Sequence, residues 1–124
     1  MKYMLLIYSD EGVWSEDERA RCMAESAELC QELHAQGKYL GASPLHSVTS
    51  AASIRIREGK RLVTDGPFAE TYEQLGGYFL IDVDSIEEAT EIAARIPGAQ
   101  RGTVEVRPVF ELAGLPHLEI VAPG

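Results

Sequence analysis

The chain predicts an α+β domain in which two helices cover one face of an antiparallel sheet. Three observations lead there. Two stretches of helical period each lie between apolar stretches of strand length. A short alternating segment with a glycine turn interrupts the middle. The 124 residues, 45% hydrophobic and 25% charged, suffice for one core and not for two, so one domain over residues 1–124 is expected.

Lys2 to Tyr8 is apolar at nearly every position and stops at Ser9, Asp10 and Glu11, which marks a strand rather than a signal peptide. Ser15-Glu16-Asp17-Glu18 is a capping box, the Ser side chain covering a free N–H while the Glu reaches back. The helix it opens carries Ala20, Met23, Ala27, Cys30 and Leu33 at helical spacing, and Gly37 closes it. Trp14, just before that box, is expected to act as a hydrophobic staple. Tyr39 to Leu45 is the second strand.

Ser53 to Glu58 then alternates Ile54 and Ile56 with Arg55 and Arg57, and Arg61 to Thr64 returns after Glu58-Gly59-Lys60. This is a hairpin, with its arginines expected toward solvent or toward the acidic loop that follows. Tyr78 to Val83 is a strand. Ser85-Ile86-Glu87-Glu88 is a second capping box, and Ile86, Ala89, Ala93 and Ile96 form the stripe of the helix that Pro97-Gly98 ends. Thr103 to Phe110 is the last strand. The order, with the hairpin between two strand–helix–strand halves, is that of a ferredoxin-like split βαβ sheet with an inserted β-hairpin.

Such a sheet has one face without helices, which should read as polar if it met water. Met4-Leu5-Leu6-Ile7 and Tyr78-Phe79-Leu80-Ile81 are instead apolar toward both faces. A second copy of the same sheet is the simplest cover, so a homodimer is expected.

The formal charge is −9, from 11 Lys and Arg against 20 Asp and Glu. Phosphate backbones are repelled by this balance, and Arg55, Arg57, Lys60 and Arg61 are interrupted by Glu58, so nucleic acid is not an expected partner. No apolar run approaches the roughly 20 residues of a membrane helix, and the expected location is the cytoplasm. Cys22 and Cys30, eight residues apart in one helix, lie about 12 Å from each other and read as small buried hydrophobes of a reduced protein rather than a disulfide. They lack a CxxC pattern or a neighbouring His pair, and no metal or cofactor is expected.

The stretch DGPFAETYEQLGGYFLIDV, residues 65–83, joins a Gly-Pro bend, acidic side chains and a Gly-Gly pair to an apolar strand. With MKYMLLIYSDE at the start and VEVRPVFE near the end, it resembles the signature of the YCII-related, or DGPF-domain, family of small bacterial proteins. The resemblance implies a dimeric α+β barrel built from two ferredoxin-like sheets. It also suggests a regulatory setting, because members are often encoded beside alternative sigma factors. Relatives usually carry Lys where this chain has Tyr72, so an anion bound by that Lys in relatives is not held the same way here.

Two residues have the strongest claim to chemistry. Asp65 ends the hairpin and is aimed by Gly66-Pro67, a bend that glycine opens and proline stiffens; Phe68 points to a partly buried bend. An Asp before Gly serves equally as an Asx-turn residue. His46 ends the second strand, and His34 and His117 lie in a charged helix and a Pro-flanked tail. The family resemblance places a His at the same point. An imidazole changes charge near neutral pH, and paired with Asp65 it makes an acid–base dyad; alone it is a turn residue. Glu70, Phe68 and Tyr78 complete the expected pocket as substrate contacts. Gly76-Gly77 lacks the surroundings of a phosphate loop and reads as a close backbone approach. The function expected from these residues is acid–base chemistry on a small organic molecule, as in an isomerase or lyase. The alternative is a small-molecule-binding or regulatory module without catalysis.

Overall fold

A computed structural model describes residues 1–116; His117 and the residues after it lie outside the description. Six strands and two long helices follow the order β1 (Lys2–Ser9), α1 (Glu16–Ala35), β2 (Tyr39–Pro44), β3 (Ala52–Arg57), β4 (Lys60–Asp65), β5 (Gln74–Asp82), α2 (Ile86–Arg95) and β6 (Thr103–Pro108). The main sheet has the order β2-β5-β1-β6, and every neighbouring pair is antiparallel. β1 and β2 are therefore parallel to each other with β5 between them, the split βαβ arrangement expected from the sequence.

Helix starts form where the sequence supplies caps. The Ser15 hydroxyl accepts from the Glu18 N–H at 3.1 Å while the Glu18 carboxylate accepts from the Ser15 N–H at 3.2 Å. Ser85 caps α2 by accepting from the Glu88 N–H at 3.2 Å, but the expected box does not close, because the Glu88 carboxylate accepts from the Asp84 N–H at 3.2 Å instead of reaching back to Ser85. Both helices pack on the sheet face that carries Tyr3, Leu5, Phe79, Ile81 and Val83. α2 contributes Ala89, Ile92 and Ala93, followed by Ile96, whereas Ile86, its first residue, is exposed. α1 contributes Leu29 and Leu33 only. The rest of its expected stripe does not enter the core: Met23 and Ala27 are exposed and Cys30 is half-buried. The N-terminal half of α1 faces the sheet across a space that its small side chains do not fill.

β5 begins at Gln74 rather than at Tyr78 and takes Gly76-Gly77 into the sheet. A Cβ at Gly77 would lie 2.9 Å from the Ser43 carbonyl oxygen and 3.2 Å from the Pro44 Cα, so β2 approaches there at a distance only glycine permits. The opposite sheet face carries Met4, Leu6, Tyr78 and Leu80, all half-buried and with no helix over them.

β3 and β4 pair only with each other. Their turn places Glu58 at φ 50° and Gly59 at φ 75°, the pair of positive angles that a two-residue hairpin turn requires. The hairpin is inserted where the sequence predicts it, and Arg55 and Arg57 are exposed.

Replacing Gly77 with Ala forces β2 and β5 apart at backbone atoms that cannot rotate away. The expected loss is about 1–3 kcal/mol of unfolding free energy in urea titration, in line with overpacking elsewhere. An unchanged midpoint would mean the close approach is not rigid.

Candidate functional site

A cleft of about 380 Å³ lies between α1 and the sheet, a size in the usual range for small-ligand sites. It exists because α1 is seated at Leu29 and Leu33 and stands off the sheet toward its N-terminus. Ile7, Phe79 and Ile96 make an apolar floor, Met23 and Ala27 a wall, and Tyr39 reaches in from β2. The polar groups are few and lie mainly at the mouth, where Ser9, Glu11, Arg19 and Gln74 converge.

Glu11 holds that mouth together. Its carboxylate accepts from the Ser47 hydroxyl at 2.8 Å and from the Val48 N–H at 3.1 Å. Its own N–H donates to the Gln74 side-chain oxygen at 3.1 Å, and Arg19 donates to its carbonyl at 3.4 Å. The segment after β1 is thereby tied to the loop after β2, to the start of β5 and to α1. Charge-assisted bonds of this kind are about twice as strong as neutral ones, and removing the shared carboxylate leaves two donors, the Ser47 hydroxyl and the Val48 N–H, without their acceptor.

Trp14 also lines the cleft. Its indole N–H donates to the Ser9 hydroxyl at 3.1 Å, and the Arg101 guanidinium lies 5.2 Å from its ring centroid. Arg101 in turn pairs with Glu18 and donates to the Val13 carbonyl at 3.0 Å. The staple position expected of Trp14 is thus also a fixed aromatic wall of the cleft.

Cys22 and Cys30 both open on the cleft from α1 and are free thiols. Burial raises both above the ordinary value of 9.0; at Cys22 a hydrogen bond from Ser26 opposes part of the rise. Tyr39 is raised for the same first reason, burial, with Cys30 adding to it. Glu18 is held below the ordinary carboxylate value by its bond to the Ser15 backbone, then by the Ser15 side chain. Among the described residues no three His, Cys, Asp or Glu side chains converge as a metal-binding group.

The residues expected to carry chemistry are placed elsewhere. His46 and Asp65 are both exposed, neither lines the cleft, and no ion pair joins them. His46 stands at the rim, between Leu45, which lines the cleft, and Ser47, which is bonded to Glu11. Asp65 sits at the base of the hairpin opposite Ala52. The bend after it is fixed as the sequence implies: Gly66 has φ 92°, its N–H donates to the Ala51 carbonyl at 2.6 Å, and its carbonyl accepts from the Ser53 hydroxyl at 2.9 Å.

Phe68 is not partly buried but 72% exposed, because its ring lies against the Arg55 guanidinium, 5.7 Å from the centroid, instead of entering the core. Glu70 is exposed on the same loop, and Tyr78 lies on the helix-free sheet face, away from the cleft. Glu73 accepts from the Thr103 hydroxyl at 2.8 Å, which ties that loop to β6. Sequence reasoning missed Glu11, Trp14 and Tyr39 as cleft residues. The one available signal was the density of small residues on α1 at Ala20, Ser26 and Ala27, too small to fill the space a helix leaves over a sheet.

The fold is that of a small α+β protein with an open cleft between its first helix and the sheet. The YCII-related domain model matches residues 1–113, and this chain belongs to the YCII-related family. It is 40% identical to an uncharacterised protein of Rhizobium meliloti (strain 1021), in an alignment covering 88% of this chain and 92% of that protein. None of the described helices is long and apolar enough to cross a membrane.

The raised thiols and Tyr39 give a pH dependence of defined sign. A group whose pKa is higher in the folded than in the unfolded chain contributes stability that is complete below its unfolded value. That contribution is lost as pH rises through the folded value, so thermal stability should fall on the alkaline side of pH 9, the ordinary thiol value. The double variant Cys22→Ala with Cys30→Ala should flatten that decline, measured by the melting temperature between pH 7 and 11. An equally steep decline in the variant would remove the thiols from the explanation.

Proposed function

We propose that this chain binds a small, largely apolar organic molecule in the cleft between α1 and the sheet. One observation carries the reading: a concavity of about 380 Å³ stays open within a fold whose remaining helix–sheet interface is filled. Apolar walls supply the affinity, and the polar groups at the mouth orient a single polar end of the ligand. A regulatory role beside an alternative sigma factor, which the family resemblance suggests, fits the same reading, with the cleft as sensor.

Catalysis is the second reading, favoured by the place of His46 at the rim. In it the cleft holds the substrate, His46 moves a proton at the mouth, and Asp65 with Glu70 and Phe68 closes over it from the loop after β4. A ligand recovered unchanged after incubation with the protein supports binding alone. A ligand that is altered by the wild type and not by His46→Ala supports catalysis.

The chain is also proposed to act as a homodimer through the helix-free sheet face. Met4, Leu6 and Leu80 on that face are apolar and lie under no helix, which supports a second sheet as their cover.

Trp14, the single tryptophan, makes the first reading measurable. Titration with 1-anilinonaphthalene-8-sulfonate should change Trp14 emission and raise the dye's own emission, while Ser26→Phe, which fills the cleft, should abolish both and preserve the circular dichroism spectrum. Dye binding that survives Ser26→Phe would place the apolar site elsewhere. For the dimer, sedimentation at micromolar concentration should give twice the chain mass for the wild type and the single chain mass for Leu6→Arg. A monomeric wild type would end that reading.

A further inference from the structure

The β3–β4 hairpin is the part of the molecule that its own protomer does not use. No other element packs broadly against either strand, and the two pair only with each other. An isolated two-stranded hairpin is marginally stable in water. One face of this one presents Ile54, Ile56 and Val63 at 64%, 59% and 58% exposure, with Ile54 directly opposite Val63. On the other face Arg57 lies directly opposite Lys60, a like-charge pair that weakens a hairpin standing alone.

These deficits call for one kind of surface, apolar in its centre and acidic around it. The hairpin carries Arg55, Arg57, Lys60 and Arg61 against Glu58 and Asp65, a surplus of two positive charges. Since the whole chain carries −9, the remainder carries −11, so the body of this same protein is the complementary partner. The hairpin also follows β2, an edge strand of the main sheet, and so leaves from the margin where a second sheet would be met.

We propose that the hairpin is an arm that reaches from the edge of its own sheet onto the acidic body of a second copy, the two arms crossing reciprocally. The proposal rests on the homodimer reading and extends it. A four-stranded sheet offers a face of roughly 19 by 20 Å, about 400 Å², taking ~4.8 Å between strands and ~3.3 Å per residue. Specific, stable dimers bury about 800 Å² of accessible surface on each partner, more than a footprint of this size presents on its own. Two arms supply the rest. They bury the Ile54 face, and they set Arg57 and Lys60 against carboxylates that relieve their mutual repulsion.

Sedimentation equilibrium on the full chain tests this, with two double variants. Ile54→Thr with Ile56→Thr keeps β-branched residues in the strand and removes the apolar face. Arg57→Glu with Lys60→Glu reverses the charge. Because the arm has little contact with the core, both variants should keep the wild-type circular dichroism and melting behaviour at low concentration. Each should raise the dimer dissociation constant by about tenfold or more, and the charge variant, whose hairpin goes from two positive to two negative charges, should reverse the sign of the arm's salt dependence. A dimeric wild type whose variants dissociate no more readily overturns the arm and leaves the sheet-face dimer standing. A wild type that is monomeric throughout overturns both. Should a variant not fold, the wild type decides alone: hairpin amide signals in NMR must shift with protein concentration, and signals that do not shift overturn the arm.

Discussion

The seat of α1 on the sheet is the contact from which the rest of the architecture follows. Only Leu29 and Leu33 of its twenty residues are buried, and both lie in its C-terminal half. A helix held at one end over a twisted sheet must diverge from it at the other unless large side chains fill the gap. Here the gap is faced by Cys22, Ser26 and Ala27, so it remains open and becomes the cleft. The same small side chains that weaken the packing of α1 leave a space open between it and the sheet.

An open space beside a core is a liability unless its margins are fixed, and two devices fix them. Gly77 lets β2 lie so close to β5 that backbone atoms touch, which sets the position of Tyr39, Pro44 and Leu45 on one wall. Glu11 joins the segments after β1 and β2 to the start of β5 through a single carboxylate and its own peptide group. Trp14, bonded to Ser9 and covered by Arg101, is a third fixed point near the start of α1. Among the described residues no polar or charged side chain is buried in the core, so specificity of geometry comes from the margin.

Much of the fold was legible in the sequence for reasons that are local. Serine N-caps, the glycine turn at Glu58-Gly59 and the apolar strands act within a few residues, and they locate both helices and the hairpin, although only the first capping box closes. The strand β5 began earlier than expected because Gly76-Gly77 reads locally as a break, while in the sheet it answers the approach of β2. The site was less legible. His46 and Asp65 attract attention because their chemistry is intrinsic to the side chain, yet both are exposed and unpaired with each other. Glu11 and Tyr39 gain their roles only from what the fold brings beside them, and a single chain read in order carries no sign of that. Phe68 shows the same limit from the other side, its bulk suggesting burial where a neighbouring arginine offered a different partner.

The helix-free face and the hairpin are linked by the same imbalance. One sheet face is covered by both helices and closes the core; the other keeps Met4, Leu6 and Leu80 in reach of solvent. The insertion between β2 and β5 could have folded over that face, which would have completed a monomer. Instead it pairs with itself and holds its isoleucines and its positive charges away from the body that would neutralise them. Net charge alone works against association, since two bodies of −9 repel. In the proposed dimer, a cationic arm at the edge of an apolar face would set positive charge against the acidic body of the second copy and offset that repulsion where the two meet.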